Sequence, residues 1–84
     1  MVVRRLQKMR KLRGMTQLEL AVRTGINLRT IQAYEIGDRD FSNARIDVIL
    51  KCAIALECRM EDIIDNSLYR EFLRDYAEAV QKAH

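Results

Sequence analysis

Residues 16–35 read TQLELAVRTGINLRTIQAYE, and they contain the clearest signals for local structure in the chain. Thr16, with Glu19 three residues later, predicts a capping box at the start of a helix, because each side chain can pair with a free backbone N–H group of the first turn. Gly25 predicts the end of that helix, since the position just past a helix end often takes a positive φ angle. Asn27 favours the start of a second helix, because its side chain can accept from first-turn N–H groups. The stretch therefore predicts two short helices joined by a tight turn.

Glycines and polar residues divide the rest of the chain into further helices. Gly14 and Gly37 each follow a segment with helical periodicity. Residues 37–43, GDRDFSN, are predicted to form the one extended loop, and Ser42 or Asn43 is expected to cap the helix after it. The predicted helices cover about residues 2–12, 17–24, 28–35, 43–56, 60–64 and 68–82. In the fourth of them, an apolar stripe at helical spacing is formed by Ile46, Ile49, Leu50, Ala53 and Leu56.

Length and composition favour a single helical domain. The chain has 84 residues, of which 49% are apolar, with three glycines and no proline. This length allows one small domain, and this composition predicts an all-α fold. No apolar run approaches the roughly 18–20 residues of a membrane span, and no signal-peptide pattern opens the chain. We therefore expect a soluble, cytoplasmic protein.

The sequence predicts neither an enzyme nor a cofactor site. It has no nucleophile–base pair, metal-ligand cluster or phosphate-binding loop, and its one histidine is the last residue. Cys52 and Cys58 lie six residues apart with no third thiol or histidine nearby, which is too few ligands for a metal site. We interpret both cysteines as buried apolar residues, with redox sensing as the alternative.

Basic residues concentrate in the first 30 positions. This segment has eight basic side chains against Glu19 alone, whereas residues 31–84 have seven basic and eleven acidic side chains. The overall net charge of +3 therefore hides a basic first part and an acidic second part. Such a split indicates a face that binds a polyanion, or else a solvated helix face with no partner.

The quoted stretch has the pattern of a helix-turn-helix. Ala21 is small where the two helices approach, and Ile31 and Tyr34 are spaced to fill the core between them. In this arrangement the second helix is presented to the major groove of DNA. Over about residues 3–64 the sequence resembles the Cro/C1-type, xenobiotic-response-element family of small regulators. The matching positions are Arg10, Thr16–Gln17, Leu20–Ala21, Gly25, Ile31, Glu35–Gly37 and Ala53–Leu56.

The resemblance implies a fold and a division of the chain. It implies a five-helix, lambda-repressor-like DNA-binding domain over residues 1–65. Residues 66–84 then form an added C-terminal amphipathic helix.

The resemblance also implies which residues contact DNA. The base-reading positions are Leu28, Arg29, Gln32 and Ala33. Arginine suits guanine, glutamine suits adenine, and apolar side chains suit the thymine methyl group. The phosphate contacts would come from Gln17, Asn27, Thr30 and Arg39. Arg10 and Glu35 match a structural ion pair that ties the first helix to the end of the third. The alternative is a helix whose polar face only meets water.

Two departures from the family pattern concern charge and backbone conformation. Asp38 and Asp40 flank Arg39 where the family usually has basic residues, and carboxylates near phosphates weaken binding. We expect this to make dimerisation more necessary. Glu57 stands where the family commonly has glycine, which costs about 1 kcal/mol if the backbone there is left-handed.

The C-terminal helix has an apolar face that something must cover. The face comprises Tyr69, Phe72, Leu73, Tyr76 and Val80. Three arrangements remain open: the helix folds back on its own domain, pairs with a second copy, or docks a different protein.

Together these features predict a sequence-specific regulator of transcription that binds double-stranded DNA. We expect a repressor that binds a palindromic operator as a homodimer, although the residues do not separate repression from activation. The alternative is the antitoxin of a toxin–antitoxin pair, which binds a toxin protein as well as its operator. A third reading, a membrane-surface helix over residues 2–13, conflicts with the apolar residues of that segment being needed for the core.

Overall fold

The structure, a computed structural model, describes residues 3–83. Over this range the chain folds into helices throughout, which confirms the predicted all-α class. The α-helices are α1 (Arg5–Leu12), α2 (Gln17–Thr24), α3 (Leu28–Ile36), α4 (Ile46–Leu56) and α5 (Ser67–Ala83). Two short 3-10 helices, Phe41–Asn43 and Met60–Asp62, precede α4 and α5. Val2, which was predicted to lie in the first helix, and His84 are outside the described residues.

Local hydrogen bonds set the limits of α2 and α3. Thr16 Oγ1 accepts from the Glu19 N–H at 3.0 Å, and the Thr16 N–H donates to Glu19 Oε1 at 3.2 Å, so the predicted capping box is confirmed. Gly25 ends α2 with a φ angle of 72°, which is left-handed and costs glycine little. Asn27 Oδ1 accepts from the Arg29 N–H at 2.8 Å and caps α3.

One hydrophobic core holds α1 to α4 together. α2 packs against both α3 and α4, and α1 contacts α3. Ala21 is buried where α2 meets its neighbours, as predicted, and Ile31 and Tyr34 point into the core. The side chains with almost no solvent exposure are Leu6, Leu20, Ile31, Cys52, Leu56 and Ile63.

The predicted apolar stripe of α4 needs a correction. Ile49, Ala53 and Leu56 are buried, but Ile46 and Leu50 are exposed. Residues four apart on a helix lie on one face, and Ile46 and Leu50 share with Ile54 an outer row of their own. The predicted stripe therefore merged residues of two different apolar faces of α4. Only one of these faces packs against the core.

The segment 37–43 is less open than the sequence predicts. Phe41 is buried, and its ring packs edge-on against Tyr34 with the centroids 5.1 Å apart. Asp40 Oδ1 accepts from the Ser42 N–H at 3.0 Å and starts the 3-10 helix there. An aromatic residue in a polar segment thus anchors this segment to the core.

The predicted cap of α4 is also wrong. α4 begins at Ile46 with Arg45 as its N-cap, so neither Ser42 nor Asn43 caps it. Ser42 Oγ instead accepts from the Asn66 N–H at 3.1 Å, 24 residues away. The physical reason is that Ser42 and Asn43 belong to the 3-10 helix, and their side chains bond to other residues there before α4 starts.

The prediction of two buried cysteines is confirmed for one of them. Cys52 is fully buried in the core, whereas Cys58 is only half-buried. Burial, followed by the nearby Cys58, raises the pKa of Cys52 to about 12. Burial, followed by the charge of Asp62, also raises the pKa of Cys58. Because the thiolate is the reactive form, these shifts favour unreactive packing residues over redox sensing.

The end of α4 is held by a side chain from the other end of the domain. Arg13 Nε donates to the Leu56 carbonyl at 2.8 Å, and Arg13 Nη2 donates to the Glu57 carbonyl at 3.1 Å. Helix-terminal carbonyls lack partners within the helix. A cation near them also interacts favourably with the negative end of the helix dipole. Glu57 itself has a φ angle of 51°, the left-handed conformation anticipated for this position.

We expect Glu57→Gly to raise the free energy of unfolding by about 1 kcal/mol, because glycine removes the clash of a left-handed Cβ. Equilibrium denaturation in urea measures this change. Glu57→Ala is the matched control, since it also removes the carboxylate but keeps the Cβ. Equal stability of the two variants would contradict the backbone explanation.

The first turn of α5 is attached to the rest of the domain by hydrogen bonds and packing. Asn66 Oδ1 accepts from the N–H groups of Leu68 and Tyr69 at 3.0 and 3.1 Å. The Tyr69 hydroxyl donates to Asn43 Oδ1 at 2.9 Å. Tyr69 and Leu73 pack partly against the core, so the helix is docked at its N-terminal end.

The rest of the α5 apolar face is uncovered in the single chain. Phe72, Tyr76 and Val80 are exposed, and no residue of α5 is fully buried. The structure thus shows a partial fold-back, with most of the predicted face open. No helix within residues 3–83 combines the length and apolar character that a membrane crossing requires.

Candidate nucleic-acid interface

Arg10 and Glu35 form a buried, bidentate ion pair between α1 and the end of α3. Arg10 Nε donates to Glu35 Oε2 at 2.7 Å, and Arg10 Nη2 donates to Glu35 Oε1 at 2.8 Å. Arg10 Nη1 donates to the Met15 carbonyl at 2.7 Å. The bonds to Glu35 raise the pKa of Arg10, although burial acts in the opposite direction. Because two parallel hydrogen bonds restrict rotation, the pair sets the orientation of α3 relative to α1.

Gln17 extends this network to the start of α2. Its Nε2 donates to Glu35 Oε1 at 3.0 Å, so the side chain predicted to contact phosphate is tied to the ion pair. The Glu19 N–H bonds to Thr16 Oγ1, and the Leu20 N–H bonds to the Thr16 carbonyl. The N–H groups of Gln17 and Leu18 therefore come before the first helical hydrogen bond, at a helix end that attracts anions.

α3 has a buried face and an exposed face. Ile31, Tyr34 and Glu35 are buried, whereas Arg29 and Gln32 are exposed on the opposite side. The two exposed side chains are the longest polar groups on α3, and both carry the hydrogen-bond donors that base recognition requires. Helical geometry thus brings these two predicted base-reading residues to one accessible surface.

The other predicted contact residues on α3 are less exposed. Leu28 packs partly against the core, so it lies at the edge of the outer face and not on the side opposite Ile31. Thr30 and Ala33 are half-buried, and Asn27 is exposed next to the helix start that it caps. The apolar character of Leu28 is therefore explained by its packing against the core.

Ile36 is a candidate contact residue that the sequence interpretation missed. It lies four residues after Gln32 and seven after Arg29, and its side chain is exposed. Positions at this spacing share one helix face. The same periodicity that selected Arg29 and Gln32 could have identified it.

Arg39 lies at the end of α3 and is held there by an aromatic ring. Its guanidinium carbon is 5.5 Å from the centroid of the Tyr34 ring, within range of a cation–π interaction. The Arg39 N–H donates to the Ala33 carbonyl at 3.2 Å. The side chain remains exposed, so its charge is available to a ligand beside α3.

The two neighbouring aspartates have different roles. Asp40 accepts from the Ser42 N–H and from the Asn43 side chain, which makes it part of the turn. Asp38 is exposed. Asp38 therefore places a negative charge next to Arg39.

The basic first helix offers fewer free charges than its sequence predicts. The Arg10 side chain is bound in the ion pair with Glu35, and the Arg13 side chain caps the C-terminus of α4. Lys8 and Lys11 remain exposed. Two basic side chains of the first 30 residues are therefore engaged within the fold.

Within residues 3–83, no three His, Cys, Asp or Glu side chains are grouped so that they could hold a metal ion. The chemistry of the surface around α3 is that of hydrogen bonding and charge.

Comparison with known proteins agrees with this geometry. A family model described as "Helix-turn-helix" matches residues 6–63, which is more than half of the chain. A search of curated proteins found no match. The matched region contains the ion pair, the turn at Gly25 and the exposed face of α3, and it confirms both the suspected family and the lambda-repressor-like fold. Its members form a DNA-binding regulatory family and not a family of enzymes. The chain belongs to the Cro/C1-type helix-turn-helix family and is a DNA-binding regulator of transcription.

Proposed function

We propose that the protein is a sequence-specific repressor that binds a palindromic operator as a homodimer. The observation that carries the proposal is the exposed pair Arg29 and Gln32 on a helix whose orientation is fixed by a buried ion pair. Repression would be steric, since a protein on its operator blocks access by other proteins.

Base recognition rests on the outer face of α3. Arg29 makes two hydrogen bonds to O6 and N7 of guanine, and Gln32 makes two to adenine. Leu28, Ala33 and Ile36 supply apolar contacts to thymine methyl groups at the edges of this face. Each bidentate contact discriminates against a wrong base by about 1–3 kcal/mol.

Phosphate contacts position the helix without reading sequence. We assign this role to the Gln17 N–H at the start of α2, to Asn27 at the N-cap of α3 and to Thr30 in the first turn of α3. Arg39 supplies a full positive charge at the other end of the helix. These contacts are few for a monomer, which supports a dimer on two half-sites about 34 Å apart.

The division of labour follows the chain. We assign DNA binding to residues 1–65 and assembly to residues 66–84, which include α5 (Ser67–Ala83). The exposed apolar face of α5 supports this assignment, because a face of this kind needs a partner.

A second candidate function uses the same observation. An antitoxin would bind its toxin through the exposed face of α5 and its operator through α3. Co-purification of a second, different polypeptide with the tagged chain would favour the antitoxin, whereas a pure homodimer that binds DNA would favour the repressor.

Selection of bound duplexes from a random pool, repeated at two salt concentrations, tests the proposal. We expect a palindromic motif with guanine and adenine at the positions facing α3. The slope of log K against log salt gives the number of phosphates neutralised. Recovery of random sequence with the same affinity as any selected site would contradict sequence-specific binding.

We expect Asp38→Asn to tighten binding to the selected duplex roughly two- to fivefold at low salt, because it removes a repulsive charge near the phosphates. Fluorescence anisotropy measures the change, which should shrink as salt increases. Asp38→Glu is the control that keeps the charge, and its affinity should equal that of the wild type. Unchanged affinity of Asp38→Asn would place this segment away from the DNA.

A further inference from the structure

Two exposed rows of large apolar side chains lie on α4 and α5. The α4 row is Ile46, Leu50 and Ile54, and the α5 row is Leu68, Phe72, Tyr76 and Val80. These seven side chains are 40–75% exposed. Both rows have a spacing of four residues, so each forms a ridge along its helix.

The two rows border one continuous surface. Met60, in the 3-10 helix before α5, lines a groove with Leu50 and Ile54 on one side. It lines a second groove with Tyr76 and Val80 on the other side. We call the two rows and Met60 together the α4–α5 surface. Its apolar extent is unusual for a surface exposed only to water.

The charges beside the two rows differ in their balance. Beside the α5 row the exposed acidic residues Glu71, Asp75 and Glu78 outnumber the basic residues Lys82 and Arg59, so this flank is acidic on balance. Beside Ile54, at the end of the α4 row, lie Arg23 and Lys51. Lys51 also pairs with Asp47 at 3.9 Å, and Glu57 lines the groove with Ile54, so Arg23 is the clearest positive charge of this flank.

We infer that the α5 row of one copy packs on the α4 row of a second copy, and that the same contact is repeated about the twofold axis. Pairing α5 with its own copy would bring two acidic flanks together, whereas crossing α5 onto α4 brings an acidic flank beside Arg23 of the other copy. Ridges of four-residue spacing on both helices also fit each other, typically at a crossing angle of about −50°. The inference deepens the proposed homodimer by naming its interface, and it does not depend on which bases α3 reads.

A reciprocal contact of this kind buries both apolar rows of each copy at once. In a twofold dimer the same patch is used on both subunits, so each copy buries its α4 row and its α5 row. The α5 row spans 12 residues, or about 18 Å of helix, and covers the shorter α4 row, which spans about 12 Å. A different protein on α5 alone would leave the α4 row uncovered.

Sedimentation equilibrium of the full chain without DNA tests the interface. We expect a dimer for the wild type, and a Kd at least 100-fold weaker for Phe72→Glu on α5 and, separately, for Ile54→Glu on α4. Leu18→Glu on α2 is the matched control: it replaces an equally exposed apolar residue outside the surface and should leave the dimer intact. Circular dichroism checks that each variant is folded.

A charge exchange distinguishes the crossed arrangement from pairing of α5 with α5. Asp75→Lys and Arg23→Glu should each weaken the dimer roughly five- to tenfold, since each change acts twice in the dimer, and the double variant should recover most of the loss. A tighter dimer with Asp75→Lys would overturn the inference in favour of α5 pairing. A dimer unaffected by Ile54→Glu would overturn it as well. A wild-type chain that stays monomeric yet selects a DNA motif would overturn this interface while leaving DNA recognition in place.

Discussion

Arg10→Met is expected to lower the free energy of unfolding by about 3–5 kcal/mol, because it leaves the Glu35 carboxylate buried without its cation. Glu35 would keep one hydrogen bond from Gln17 and lose two from Arg10. Small domains have a total stability of only about 5–15 kcal/mol, so this variant should be close to unfolding. Equilibrium denaturation monitored by circular dichroism measures the loss.

The double variant Arg10→Met with Glu35→Leu is the informative control. A buried ion pair replaced by apolar residues of similar volume is often neutral in stability, whereas removal of one partner is costly. We therefore expect the double variant to be more stable than Arg10→Met alone. If both variants lose the same stability, the cost comes from lost packing, and the charge argument is incorrect. The refolded double variant should still bind DNA more weakly, since α3 loses its fixed orientation.

Arg29→Ala is expected to weaken binding to the selected duplex by about 1–3 kcal/mol and to remove the preference at one base pair of each half-site. Its side chain is exposed on α3 and forms no hydrogen bond with any other residue in the range 3–83, so stability should change little. The measurement is a repeat of the random-pool selection with the variant, together with anisotropy on the wild-type site.

Arg74→Ala, on the exposed side of α5 away from its apolar row, removes the same charge at a distance from α3. It should leave the selected motif unchanged. An identical motif for the wild type and Arg29→Ala would show that Arg29 does not read a base. Equal losses of DNA affinity for Arg29→Ala and Arg74→Ala would show that the effect of Arg29→Ala comes only from the change in net charge.

The parts of the fold that the sequence predicts well are those with local causes. Thr16, Glu19, Gly25 and Asn27 act within a few residues of their own positions, so the limits of α2 and the start of α3 follow from residue type alone. The end of α3 is set in the same way by Gly37, which follows the helix as its residue type predicts.

The parts that the sequence misses depend on distant contacts. Phe41 turns a polar segment into part of the core because Tyr34 is there to receive it. Ile46 and Leu50 have the spacing of core residues, yet they lie on a face that no element of the same chain covers. The sequence suggests that Arg13 is only a basic surface residue. Its side chain instead donates a hydrogen bond to the carbonyl of Leu56 at the end of α4, 43 residues away.

The candidate site shows the same division. Periodicity on α3 places Arg29 and Gln32 on the outer face, because opposite faces of a helix follow from residue numbers. It does not reveal that Leu28 packs against the core or that the side chain of Gln17 bonds to Glu35. Those facts depend on how three helices meet, which a local pattern does not encode.

The most direct test of DNA recognition by α3 is a titration of the ¹⁵N-labelled protein with its selected duplex, followed by amide chemical shifts. We predict that the largest changes occur over residues 27–36 and at the first turn of α2, with small changes along the exposed row of α5. Large changes confined to α5, with the amides of Arg29 and Gln32 unmoved, would contradict the account.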